Sequence, residues 1–227
     1  MGSVIGVSAL EAFRREASAL SGAVAGLSEQ EWALPTRCVP WSVRELLGHV
    51  RVAVAWLPDM LAAGEPDRAE VSAAGYYRPD DRFAPRTNAA RIELARDYAA
   101  GRADVAGDFT ATWQRADRLC RAQRADRVVR TRHGDAMLLS EFLITRVVEV
   151  AVHGLDLADA LDRRPWLTPE AAGLVLELLL GPDWPAAMRT LGWDEPGLLR
   201  RATGRRPLDP AETARVDEFG IRWLTLG

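Results

Sequence analysis

Lysine is absent: all 29 basic residues of this 227-residue chain are arginine. Two chemistries go with it. A Schiff-base nucleophile needs an amine, and a Walker-type phosphate loop needs its lysine. Cysteine is scarce as well. Cys38 and Cys120 are the only two, too few for a disulfide framework and in keeping with a reducing compartment. No apolar run approaches the ~20 residues of a membrane span, so no membrane partner is expected. The N-terminus carries neither the basic nor the apolar region of a secretory signal, which gives a cytoplasmic protein as the expectation. The formal net charge of −3 offers no general attraction to nucleic acid, which is not expected as a partner. Gly-x-Ser-x-Gly, Gly-x-Gly-x-x-Gly and Cys-x-x-Cys are all missing, and no internal repeat is visible.

What the chain does have is an ordinary globular composition, 48% hydrophobic and 27% charged. Its apolar residues mostly recur at helical spacing. Leu10, Phe13, Ala17, Leu20 and Val24 mark one side of a helix over about 8–26. Pro35 to Pro40 interrupts. Ser42-Val-Arg-Glu45 then has the spacing of a capping box, and the helix it opens carries Val43, Leu46, Leu47, Val50, Val54, Leu57 and Leu61 as a stripe. His49 lies on the shoulder of that stripe, near Ala53 and Trp56. The segment 64–86 reads as a long loop whose Tyr76, Tyr77 and Phe83 suit the wall or lid of a pocket. Thr87 or Asn88 is the expected cap of a third helix toward Ala122, with a break near Gly101 or Gly107. Residues 128–138 read as a hairpin turning at His133-Gly134. A fourth helix over about 140–161 is apolar on two faces and therefore central. From Arg164 onward, frequent proline and glycine predict short helices packed on the rest.

Histidine is rare too, at three residues, and two of them fall into a pattern. Glu149 and His153 are spaced i, i+4, so a helix puts them on one face, one turn apart. Arg146, Glu149, His153 and Asp156 form a row on the fourth helix. If that helix faces the one carrying His49, two imidazoles and a carboxylate converge. Such a set suits a divalent transition metal with a position left open, as in catalytic rather than structural sites. The plainer alternative makes the row a solvent face and His49 a hydrogen-bonded seam residue. Asp156 is either a surface carboxylate or the group that orients a ligand imidazole. Arg146 is either the ion-pair partner of Glu149 or a holder of an anionic substrate. His133 reads as a turn residue and Trp41 as core. Cys38 precedes a helix N-terminus, where a thiolate is favoured, yet a free cysteine commonly packs as a small hydrophobe.

Pro35-Thr-Arg-Cys-Val-Pro-Trp41-Ser-Val-Arg-Glu-Leu-Leu-Gly-His49 resembles the first signature of the mycothiol-dependent maleylpyruvate isomerase family, within the DinB-like metal-binding four-helix bundles. Arg146-Val-Val-Glu149-Val-Ala-Val-His153-Gly-Leu-Asp156 resembles its second signature, and Ala202-Thr-Gly-Arg205-Arg-Pro-Leu a tail motif of its relatives. The resemblance implies a mainly all-α fold: a DinB-like four-helix bundle over 1–163 with a short β-hairpin, and a short helical C-terminal extension over 164–227. The last 60 or so residues depart from the mixed α/β C-terminal domain of the founding isomerase. The resemblance also implies that His49, Glu149 and His153 bind a divalent metal, usually zinc, whose open position takes water or the thiol of mycothiol. The function it points to is an isomerase or thiol S-transferase acting on a small electrophile, anionic or neutral, through a metal-bound thiolate. Asp156 and Arg146 would assist catalysis. Two alternatives use the same residues differently: a metal-dependent hydrolase or lyase without thiol, and a non-catalytic metal- or ligand-binding module. Monomer and homodimer are both compatible with the sequence.

Overall fold

The computed structural model describes residues 8–81 and 84–218. Four long helices form the body. Helix α1 (Ala9–Val24) is capped by the Ser8 side chain on the Glu11 amide. After a single turn, α2 (Glu29–Trp32), comes α3 (Val43–Ala62). Its capping box forms as the spacing predicts: Glu45 N–H donates to Ser42 Oγ, and Ser42 N–H donates back to Glu45 Oε2 at 2.8 Å. One further turn, α4 (Ala73–Tyr76), precedes α5 (Pro85–Ala100), α6 (Val105–Arg121) and α7 (Leu139–Ala160). Helices α1 and α3 do not share a long seam; each packs against both α6 and α7, which closes the four-helix ring. Among the described residues no helix is long and apolar enough to cross a membrane.

The expected third helix is two helices. Proline at N1 of α5 starts it at Pro85, before the expected Thr87 or Asn88 cap, because proline's fixed φ and missing donor suit a first turn. The chain breaks at Gly101, and the Asp104 side chain then caps α6 by accepting from the Gly107 amide at 2.7 Å. Gly107 therefore belongs to the first turn of α6 and does not interrupt it. Helix α5 leaves the ring and lies along α3. Gly48 permits that approach, since a Cβ there would come within 3.2 Å of the Ala95 carbonyl. The expected loop 64–86 holds α4, with Tyr76 and Tyr77 buried in the core; Phe83 lies outside the described residues. Leu61 is only half-buried, at the edge of its stripe.

Strands β1 (Val128–Arg130) and β2 (Ala136–Leu138) pair antiparallel in the register Val129 to Met137. Gly134, at φ +92°, takes the left-handed position of the connecting turn. Helix α7 begins directly after β2 and is buried on nearly every side, as its two apolar faces require.

Beyond α7 come α8 (Pro169–Leu180), α9 (Trp184–Leu191), α10 (Glu195–Ala202) and α11 (Pro210–Asp217). Helix α8 packs on α1 and α7, and α10 on α7 and α8. Val175, Leu176, Leu179, Leu198 and Leu199 join the same apolar core as the ring helices. Two ion pairs fasten this part: Arg200 with Asp159 of α7, and buried Arg201 with Glu212 at 2.7 Å.

Candidate metal centre

Helices α3 and α7 face each other where His49 and Glu149 meet. His49 Nε2 is 3.4 Å from Glu149 Oε2, and His153 Nε2 is 3.6 Å from the same oxygen. The two imidazoles meet edge to face, with ring centroids 5.1 Å apart. These separations are long for hydrogen bonds, whose donor and acceptor lie about 2.7–3.2 Å apart. They match the edge of a tetrahedron around a cation bonded at about 2.0–2.1 Å, which is roughly 3.3 Å. Two neutral nitrogens and one carboxylate oxygen form a donor set that zinc and similar divalent metals accept. The residues present thus fit a divalent metal.

The seam is built to hold these rings still. Trp41, buried beside the α3 cap, stacks on His49 at 4.7 Å with 22° between the planes. On the far side of His153, Nδ1 lies 3.0 Å from Asp156 Oδ2. A hydrogen bond from the second ring nitrogen to a carboxylate leaves Nε2 to act as the ligand atom. Asp156 has no exposed surface, so its part is to orient His153 rather than to meet a substrate. Arg146 is also buried: it donates to the Ala53 carbonyl at 2.8 Å and to Thr145 Oγ1 at 3.2 Å, and lies 3.8 Å from Glu149 Oε1. The row on α7 is therefore not a solvent face.

Two residues without an assigned role in the sequence complete the surroundings. Cys38 donates its thiol to Asp156 Oδ2 at 3.2 Å and lies 3.9 Å from His153 Nδ1. Arg205, from the loop after α10, brings Nε to 3.1 Å from Asp156 Oδ1 and Nη2 to 3.0 Å from Oδ2. Arg37 reaches the same carboxylate at 3.8 Å and donates to the Arg205 carbonyl. Spacing could not have found Arg205, 49 positions from Asp156; only its place in the tail motif marked it.

Cys38, His153 and Asp156 form a second group with metal-like spacing. Charge decides between the two. The guanidinium of Arg205 lies against the Asp156 carboxylate and repels a cation there. At the first group, Arg146 is farther from Glu149, and Oε2 faces both imidazoles.

Proton affinities follow the same pattern. Burial pushes His49 down, against the pull of Glu149. Burial works to raise the Glu149 carboxyl, but the His49 bond and the Arg146 charge outweigh it and hold it well below its ordinary value. Asp156 is likewise held low against its burial by His153 and Arg205. Burial also works against a charged His153, yet its bonds to Asp156 and Cys38 prevail and raise it to about 9. A metal taken up near neutral pH then displaces a proton from this imidazole.

The three α-helical residues stand at the wall of a cavity of about 400 Å³. Tyr76 and Tyr77 form another wall, as the aromatic content of segment 64–86 suggested, with the Tyr77 hydroxyl donating to the Thr145 carbonyl. Cys38 and Arg205 line it also, and so does His133, which is both a turn residue and a cavity residue. The volume suits a ligand of modest size rather than a polymer.

No solved structure matches this chain. Two uncharacterized proteins of Mycobacterium tuberculosis, from strains CDC 1551 and H37Rv, are each 28% identical to it over 252 residues, covering 94% of this chain and 91% of theirs. Residues 13–158, which include every helix of the ring and all three candidate ligands, match the mycothiol maleylpyruvate isomerase N-terminal domain. The chain belongs to that family of mycothiol-associated, DinB-like helical bundles.

Proposed function

We propose that this protein is a metal-dependent enzyme that uses a low-molecular-weight thiol, mycothiol by family, to isomerise or S-conjugate a small electrophile. The observation that supports this most is the meeting of His49 Nε2, His153 Nε2 and Glu149 Oε2 beside a cavity of about 400 Å³. Zinc is the metal the nitrogen and oxygen donors suit best. Bound there, the metal supplies Lewis acidity that makes a thiol ionise near neutral pH.

The chain's own residues do the rest. His49, Glu149 and His153 hold the cation. Trp41 and Asp156 keep the two rings in their ligating orientation. Tyr76, Tyr77 and Val148 give the cavity apolar surface that limits water around a reacting thiol. Arg146 keeps Glu149 ionised and in place. The thiolate would add to an activated double bond; elimination after rotation gives the isomer, and failure to eliminate gives the conjugate.

The test is turnover of a panel of electrophilic alkenes and epoxides by the zinc-loaded protein with and without mycothiol. Thiol-dependent loss of an electrophile, abolished in Glu149→Gln, supports the proposal. Equal turnover of esters or amides without thiol would replace it with the hydrolase reading.

A further inference from the structure

Glu149 and His49 also border a second, smaller cavity of about 50 Å³, lined by Arg91, Arg132, Arg146, His133, Trp56 and Tyr76 among others. His49, Glu149, Tyr76, Arg91 and His133 line both spaces, so the small one opens off the candidate metal centre. Its charge is unbalanced: three guanidiniums share it with one carboxylate.

The three arginines differ in their commitments. Arg146 is tied to Ala53, Thr145 and Glu149. Arg91 donates to the Asn88 side chain at 2.6 Å. Arg132 makes no hydrogen bond or ion pair among the described residues; its guanidinium lies flat over Trp56, 4.7 Å from the ring centroid. Stacking on an indole fixes the plane of a guanidinium while leaving its N–H edge free to donate. Burial, with Arg91 and Arg146 nearby, disfavours the charge on Arg132. Like charges held this close are stabilised when an anion enters between them.

We propose that Arg132, with Arg91, forms a subsite for one carboxylate-sized anion beside the candidate metal centre. The volume sets the size of the group. A water molecule takes about 30 Å³ of liquid, so about 50 Å³ admits a carboxylate head and not the body of a substrate, which would extend into the larger cavity. Arg132 then anchors the substrate, and Arg146 does not. This deepens the proposed function by naming a carboxylate on the electrophile, but the subsite itself needs no metal.

The probe is propionate, titrated into ¹⁵N-labelled full-length protein at constant ionic strength, with propionamide as the neutral control. The Trp56 indole N–H signal is followed in metal-stripped and zinc-loaded protein. A saturable shift with propionate alone is expected in both forms. Arg132→Gln should weaken it about tenfold, the usual size of one charge-assisted hydrogen bond, while Arg132→Lys retains part of it. An unaltered titration in Arg132→Gln, or no saturable shift in the parent, overturns the subsite. A response confined to zinc-loaded protein also overturns it, since the carboxylate would then be binding metal. Failure of the chain to take up zinc, with the propionate shift intact, would sink the proposed function and leave the subsite standing.

Discussion

Asp156 Oδ2 accepts from His153 Nδ1 and from Arg205 Nη2, each at 3.0 Å. A residue of the C-terminal helices is thereby one carboxylate away from a candidate ligand on α7. The tail thus has a physical means of acting on the site: it neutralises the buried charge that orients the imidazole.

Arg205→Met should therefore weaken zinc binding about 10–100-fold, the range for losing an outer-sphere partner of a ligating histidine. Asp156→Asn should fall in the same range, and Arg205→Lys between Arg205→Met and the parent. Competition against a chromogenic chelator measures this. Cobalt-substituted protein adds a spectrum that reports the ligand field, which a purely structural loss would not alter. Unchanged affinity in Arg205→Met would disconnect the tail from the site.

Arg146 makes a separate prediction about stability. Removing one partner from a buried charged set leaves the other uncompensated, at about 3–5 kcal/mol. Arg146→Met strips the Ala53 carbonyl of its donor and Glu149 of its nearest guanidinium. Urea unfolding should show a loss of that order. A loss below about 1 kcal/mol would mean the guanidinium contributes little to the native state.

Much of this was legible locally. The capping box of α3 and the Glu149–His153 spacing are short-range relations, set by helix geometry alone. The break between α5 and α6 was harder, because Gly101 and Gly107 look alike in sequence. Only the Asp104 side chain, accepting from Gly107, shows that the second glycine opens a helix. Cys38 and Arg205 were less legible still. Their partner Asp156 is 118 and 49 positions away, and no periodicity encodes a contact made by packing a loop against a helix. Arg132 looked like one arginine among 29; its lack of an ionic partner is a property of the folded surface.

Glu16 gives a pH dependence away from the metal centre. It is fully buried on α1; Thr168 donates to its Oε2 from both backbone and hydroxyl, and Oε1 has no partner. Burial raises its carboxyl to about 7 despite the two Thr168 bonds. A raised folded-state value means the native state holds the proton more tightly than the unfolded chain. The contribution is complete below the unfolded value near 4.5 and is lost as pH rises through about 7. Its full span is at most ~3 kcal/mol. Glu16→Gln should then gain stability relative to the parent between pH 5 and 8, followed by denaturant unfolding. A constant difference across that range would contradict the shift.

The two cysteines should separate by reactivity. Cys120 is buried, and burial pushes its thiol up to about 12, so it should stay unmodified by a thiol reagent at pH 8 in native protein. Cys38 lines the larger cavity and is half-buried. One thiol per chain should react before unfolding and two after, and Cys38→Ala should remove the native reaction. Labelling of Cys120 in the folded protein would mean that α6 opens locally.

The measurement closest to the central claim is native mass spectrometry of untagged, metal-replete protein beside His153→Ala. The account predicts one divalent metal per chain in the parent and none in the variant, with the fold of the variant checked by circular dichroism. No metal in the parent, or the same metal content in a folded His153→Ala, would mean that His49, Glu149 and His153 meet as a buried polar cluster and not as a metal centre.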